Sequence, residues 1–365
     1  MRVTNRYLYY QLVRDIGNVS EKMITLNSQI SSGKRINKPS DDPLGTATVL
    51  SSRSELNAFD QFSSNIDYGN GWLTSTETVL QEVDDLLARA TELATSQSSV
   101  TATADTRIGA AEEVSEILDQ VLSLANSKYG NKYMFGGTMT QTTPFLDLDV
   151  SSWEDDVSTI AATPPAGAVA GDRYIDTDDN HIWSYDGTTW SDLGESTEGT
   201  AVMVNDQNDE IYVYSASEGW SKQYQGNDDS FSIKIGKTDT VQVNLSGTDV
   251  FNNEDGNVVQ TLMQLEQALR NNDTEGISGS LTGLLDSSEV ISNNLALVGA
   301  RMNRFDYTDT ALQNAELNTT ERMSEIEDLD YAEAILALQN QQVIYQATLQ
   351  SASMITSLSL VDYIS

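Results

Sequence analysis

Where the five prolines fall sets the outer limits on this 365-residue chain. A proline inside a helix removes a backbone donor and clashes with the preceding turn. They occupy positions 39, 43, 144, 164 and 165, so residues 44–143 and 166–365 lack the strongest helix breaker. Both stretches can therefore carry helices well beyond the three to four turns typical of globular proteins.

The apolar residues use that freedom. Leu8, Leu12, Ile16, Val19, Met23, Leu26 and Ile30 follow one another at steps of three and four, the stripe of a coiled-coil helix. Ile66, Leu73, Leu80 and Leu87 recur every seven residues, with Phe62, Val83 and Ala90 beside them. A Ser/Thr-rich patch at 95–103 interrupts the pattern. It resumes from Ile108 through Val114, Ile117, Leu118, Val121, Leu122 and Leu124 and ends near 128–131. In the second half, Val259, Leu262, Leu265 and Leu269 start a new series. Leu295, Val298, Met302, Phe305, Leu312, Met323 and Ile326 extend it, and Ile335, Leu338, Tyr345 and Leu349 close it. The reading is a mainly α chain with long antiparallel helices formed by the N- and C-terminal halves.

Residues 29–43, QISSGKRINKPSDDP, break the first stripe. Gly33, the cations Lys34, Arg35 and Lys38, and Pro39 cannot continue it. Asp42 then reads as an N-cap with Pro43 at the first helical position, and Asp41 adds negative charge near the helix start. By local chemistry this is equally a specialised joint or an ordinary helix–loop–helix turn. Asp328-Leu329-Asp330 marks a second joint near the other end.

Between the helical halves the composition changes. Residues 141–257 hold four of the five tryptophans and 23 acids against 4 Lys/Arg. Asn180-His181-Ile182-Trp183-Ser184-Tyr185 followed by Trp190 is echoed by Asp209-Glu210-Ile211-Tyr212-Val213-Tyr214 followed by Trp220. Each reads as strand, turn and tryptophan, the first with an Asp186-Gly187 hairpin signal. Phe231, Ile233 and Ile235 alternate with polar residues, as do Val241, Val243 and Leu245, which gives a further hairpin. The expected domains are 1–45 (terminal helix and joint), 46–140 (helical core), 141–257 (inserted small β domain), 258–322 (helical core) and 323–365 (terminal helix).

Charge and missing residue types exclude several functions. A net charge of −35 makes nucleic acid and anionic membranes poor partners, and no segment is long and apolar enough to span a bilayer. Without cysteine there is no disulfide, thiol nucleophile or thiolate metal site. The lone histidine, His181, gives no triad or paired-histidine zinc motif. Gly236-Lys237-Thr238 lacks the first glycine of a phosphate loop. Asp176-Thr177-Asp178-Asp179-Asn180 opens like a calcium loop but has His181 and Gly187 where glycine and the bidentate acid belong. Asn18-Val19-Ser20 and Asn244-Leu245-Ser246 match the glycosylation sequon, a weak signal. No enzyme constellation and no cofactor site emerge. The end charges are complementary: residues 1–45 carry seven Lys/Arg against four acids, and 322–365 one Arg against six acids. A pair of terminal helices with residual apolar faces is expected to be loosely ordered alone and completed by other subunits.

LNSQISSGKRINKPSDDP resembles the N-terminal signature of the flagellin family. ALVGARMNRFDYT (296–308) and MSEIEDLDYAEAILALQNQQVIYQATLQ (323–350) resemble its C-terminal signatures. The opening MRVTNRYLYYQL, the segment YMFGGTMTQTTPF and the closing SLSLVDYI are similar to members at the hook–filament junction rather than to filament flagellins. The resemblance implies a structural subunit of the bacterial flagellum, extracellular and exported without a cleaved signal peptide. Implied partners are the first hook-associated protein, flagellin, a flagellar export chaperone and further copies of this chain in a helical ring. Carried over residue by residue, Arg35, Asp41 and Asp42 match the family's joint, Arg301, Asn303 and Arg304 its C-terminal counterpart, and Phe135, Gly136, Pro144 and Phe145 the junction-type motif. The expected assembly residues are Leu8, Leu12, Ile16, Leu26, Ile30, Leu338, Tyr345, Leu349, Leu358 and Leu360. The alternatives are a filament flagellin, or a surface adhesin that binds glycans through Trp183, Trp190 and Trp220 of the insert.

Overall fold

The computed structural model describes residues 2–168, 170, 172–196, 200–204, 210–215, 219–253 and 255–364. For 2–6, 8, 9, 149–159, 200–204, 210, 219 and 355–364 only the backbone element is described. The chain divides into two compact units, residues 1–62 with 309–365 and residues 63–308. Both joints thus lie inside the first unit rather than on its border.

Within the first unit, α1 (Arg2–Ser32) runs antiparallel to the last helix of the chain, and its C-terminal end reaches the joint at Gly33. The second unit is built on α2 (Pro43–Gln97), which belongs to both units, and α3 (Ala104–Ala125). The Ser/Thr-rich break between them ends in a capping box. Thr103 accepts from the Thr106 amide, and the Thr106 hydroxyl accepts from the Thr103 amide. After α3 come the short hairpin β1 (Lys128–Tyr129) and β2 (Lys132–Tyr133) and then the insert.

The insert centres on β3 (Asp149–Ala161). One three-stranded meander follows, β4 (Arg173–Asp176), β5 (His181–Tyr185) and β6 (Trp190–Glu195). A second consists of β7 (Thr200–Val204), β8 (Glu210–Ser215) and β9 (Gly219–Lys222). The strand order is β6-β5-β4-β3-β7-β8-β9, with β4 and β7 each parallel to β3. The near-repeat in the sequence is therefore two meanders hung on either side of one central strand. The hairpin expected over 231–245 is β10 (Ser232–Lys234) with β11 (Thr240–Gln242).

The chain returns to helix through α4 (Gly247–Val250), the pair β12 (Asn252–Asn253) and β13 (Gly256–Asn257), and α5 (Val258–Arg270). Gly256 is required here, because a Cβ would lie 2.7 Å from the backbone of Asp286 and Ser287. The long α6 (Thr274–Glu327) and α7 (Tyr331–Ile364) complete the fold. In the second unit α6 runs antiparallel to α2. Ser288 donates to Asp84 Oδ1 at 2.8 Å, and Gly69 lets the Phe305 ring in where a Cβ would meet it at 2.7 Å. The α2 row Ile66, Leu73, Leu80 and Leu87 is buried, and so is an α6 row at the same spacing: Ile277, Leu284, Ile291, Val298 and Phe305. Each removes apolar surface worth about 1.5–3 kcal/mol per side chain. The α6 row was not fully visible in sequence because the buried serines Ser280 and Ser287 alternate with it.

Candidate functional site

The first joint is built from short-range capping. Helix α1 ends where Gly33 takes a left-handed conformation, φ +73°, and its amide donates to Gln29 O at 2.9 Å. The Asp41 carboxylate accepts the amides of Asn37 and Lys38 at 3.1 and 2.9 Å, which shapes the turn after Pro39. Asp42 caps α2 by accepting the Gly45 amide at 2.9 Å, with Pro43 at the first helical position as its fixed φ favours. That amide, followed by the Arg35 guanidinium 3.2 Å away, holds the Asp42 carboxyl below the usual carboxylate range.

The second joint lies against the first. The Arg35 amide donates to Glu327 O at 2.7 Å, and the Leu329 amide to Gly33 O at 3.0 Å. The Arg35 guanidinium also donates to Ile326 O at 2.8 and 3.2 Å, capping the C-terminal end of α6. The buried Glu327 carboxylate receives Lys34 Nζ at 2.7 Å and the Arg53 guanidinium. Asp330 then starts α7 by accepting the amides of Ala332 and Glu333. Two breaks nearly 300 residues apart in sequence are thus clasped into one unit. Beside the clasp is a pocket of about 210 Å³ lined in part by Lys34, Lys38, Arg53, Ile36 and Val49.

The expected assembly residues fall into two classes. Leu12, Ile16, Leu26 and Ile30 are half-buried, in register with Val19 and Met23. On α7 the matching row is Ala334, Leu338, Gln341, Tyr345, Thr348 and Ala352. Because α1 packs along α7, Leu12, Ile16, Leu26, Ile30, Leu338 and Tyr345 lie in a seam inside the chain, not on a free face. These six residues thus face the chain's other terminal helix, and each keeps part of its surface exposed. Leu349 is exposed, and the side chains of Leu8, Leu358 and Leu360 lie outside the described residues. Among the described residues, the large exposed apolar side chains are Tyr7, Tyr10, Val13 and Ile24 of α1, and Tyr331, Ile335, Leu336, Val343, Ile344, Leu349 and Met354 of α7. One sequence signal could have found them. The 34 residues of α7 carry two charges, Glu333 and Asp362, and no cation, so the helix is apolar on more than one face.

Arg301, Asn303 and Arg304 do not form a joint. They lie in the unbroken interior of α6, in the second unit, where nothing in the sequence stops a helix. Arg301 is half-buried and donates to Asn244 O at 3.1 Å, tying α6 to the segment after β11, while Asn303 and Arg304 are exposed. Phe135, Gly136, Pro144 and Phe145 are buried where the insert joins the helices. Phe135 and Phe145 both pack edge-on against Phe251, at 5.1 and 5.4 Å, and Tyr224 donates to Phe135 O at 3.0 Å. Burial pushes the Tyr224 phenol up to about 12. Asn244 of the second sequon is also buried, holding the Phe231 amide and Asp229 O.

Trp183, Trp190 and Trp220 do not share one surface. Trp220 packs with Tyr212 against Ile175 and Ile182, whereas Trp183 and Trp190 pack against Tyr174 on the other face of β4 and β5. The calcium-like segment is the β4–β5 turn, its carboxylates engaged by the amides of Asp178 and His181. His181 Nδ1 lies 2.9 Å from both Asp192 oxygens, and that hydrogen bond raises its pKa above the ordinary value.

Residues 3–140 match the bacterial flagellin N-terminal helical region and residues 286–364 the bacterial flagellin C-terminal helical region. The chain is 33% identical over 150 residues to flagellar hook-associated protein 3 of Escherichia coli K12, covering 40% of this chain and 47% of that protein. It therefore spans less than half the length of that relative. It is 21% identical over 366 residues to a flagellin of Clostridium tyrobutyricum, covering 95% of this chain and 96% of the relative. Among solved structures, a putative flagellar hook-associated protein from Vibrio parahaemolyticus shares the fold. Its TM-score is 0.55 at 18% identity, over 79% of this chain and all of that one.

Proposed function

Because the chain belongs to the bacterial flagellin family, we propose that it is a structural subunit of the flagellum joining the hook to the flagellin filament. It would be extracellular, seated between the first hook-associated protein and flagellin, with copies of itself as lateral neighbours in a helical ring, and delivered by a flagellar export chaperone. The observation that carries the reading is the two-faced α7. One face is spent on α1, and a second keeps Leu336 61% and Val343 65% exposed with no cation along the helix. Exposed apolar side chains two turns apart on one helix face, separated by the uncharged Gln339 and Asn340, mark a surface for another chain. Heterologous contacts repeated along such a surface build a helical assembly. The choice of junction over filament is supported by the identity to hook-associated protein 3 and by the Phe135–Phe145 segment as a packed hub.

The test is a pair of variants with opposite expectations. Leu336→Asp with Val343→Asp leaves the monomer's melting temperature unchanged but prevents incorporation onto hooks bearing the first hook-associated protein, and flagellin then fails to polymerise there. Leu338→Asp, in the seam, unpairs α1 from α7 and lowers the melting temperature of the first unit. Normal incorporation of the double variant sinks the proposal.

A further inference from the structure

A second site lies in the other unit, where the β8–β9 end of the insert meets α5, α6 and the β12–β13 pair. The cleft there has a volume of about 840 Å³, within the range of clefts that hold small ligands. Its walls are unlike an ordinary ligand pocket. Asn252, Asn253, Asn257 and Gln264 line it together with Asp255 and Asp286, and the described lining includes a single aliphatic side chain, Ile211. We propose that this cleft binds a neutral oligosaccharide. The proposal does not rest on the junction role.

Three observations select that ligand class. The wall is mainly polar, its apolar side chains being Ile211 and the Tyr224 ring, and this disfavours a wholly hydrophobic ligand. Carboxylates outnumber cations, with Asp228, Asp255 and Asp286 against Lys222, on a chain of net charge −35, so anionic ligands are repelled. Planar amides and carboxylates each offer two adjacent polar atoms, and that geometry matches vicinal hydroxyls, which both donate and accept. In addition, the side-chain amide oxygen Oδ1 of Asn252 is shut off from solvent and has no hydrogen-bond partner. Leaving such an acceptor unpaired costs about 1–3 kcal/mol, and rotating the amide toward a ligand hydroxyl relieves it. Glycine shapes the walls: a Cβ at Gly283 would lie 2.9 Å from Thr261, and one at Gly226 2.4 Å from the Tyr224 ring.

Calorimetric titration of the full chain with cellotriose, maltotriose, mannotriose and chitotriose tests the idea, with trilysine as a basic-peptide probe. Saturable binding of at least one trisaccharide is expected, weakened tenfold or more by Gln264→Ala and by Asn252→Leu. Should Asn252→Leu fail to fold, Asp286→Asn on the exposed face of α6 takes its place. No saturable binding of any trisaccharide at millimolar concentration overturns the proposal. So does affinity that survives the substitutions, or tighter binding of trilysine than of every saccharide.

Discussion

Replacing Glu327 by glutamine keeps the side chain's shape and removes the charge on which the clasp of the two joints depends. Its carboxylate, 6% exposed, faces Lys34 and Arg53, which are 41% and 47% exposed. Breaking a fully buried ion pair costs about 3–5 kcal/mol, and an exposed pair contributes about 0–1 kcal/mol. Here the carboxylate is dry and both cations can rehydrate, so the loss falls between, near 2 kcal/mol. At about 1.4 kcal/mol per tenfold, that is roughly a 30-fold increase in the population of opened joint. Two amides report it directly, because each bonds across the joints: Arg35 to Glu327 O and Leu329 to Gly33 O. Native-state hydrogen exchange should accelerate about 30-fold at both while amides of α3 and α5 in the other unit are unchanged. Protection at Arg35 and Leu329 that stays within about threefold of the parent, or that falls equally in α3 and α5, refutes the reasoning.

Other expectations follow from single contacts. Gly33→Ala places a Cβ 2.7 Å from the Tyr331 hydroxyl at φ +73° and should destabilise the first unit by about 1–2 kcal/mol, read by thermal unfolding. Phe251→Ala removes the ring shared by Phe135 and Phe145 and should cost about 3–5 kcal/mol, with loss of near-ultraviolet dichroism. Proton NMR should place the His181 pKa above 6.5, and Asp192→Asn should return it toward that value. The raised imidazole pKa means this contribution is complete below pH 6.5 and is lost as pH rises through the raised value. The lowered Asp192 pKa means that partner's contribution holds above pH 3.8 and is lost as pH falls through the lowered value. The β5–β6 pair should therefore show its highest protection, relative to the intrinsic exchange rate at each pH, between pH 3.8 and 6.5.

Much of the fold is local and can be read locally. The Asp42 cap, Pro43 at the helix start, the break before Thr103 and the return of helix at Val258 each depend on neighbours within about four residues, and the sequence carries those neighbours side by side. The two meanders were legible as a repeat for the same reason. Their common attachment to β3 was not, because parallel pairing joins strands far apart in the chain and leaves no short-range signature.

Tertiary contact decided the rest. Periodicity finds a stripe but not its partner: that the α1 stripe lies along α7, while Leu336 and Val343 stay open, is visible only in the structure. Arg301 lies within a signature that reads as a joint, yet it holds an internal helix to a neighbouring loop. The Asn252 cleft gathers residues from seven separate elements, none carrying a motif. Where helices start, stop and cap is written in adjacent residues, since those free energies are set within one or two turns. Which apolar face remains for another chain was decided only when distant segments competed to bury it.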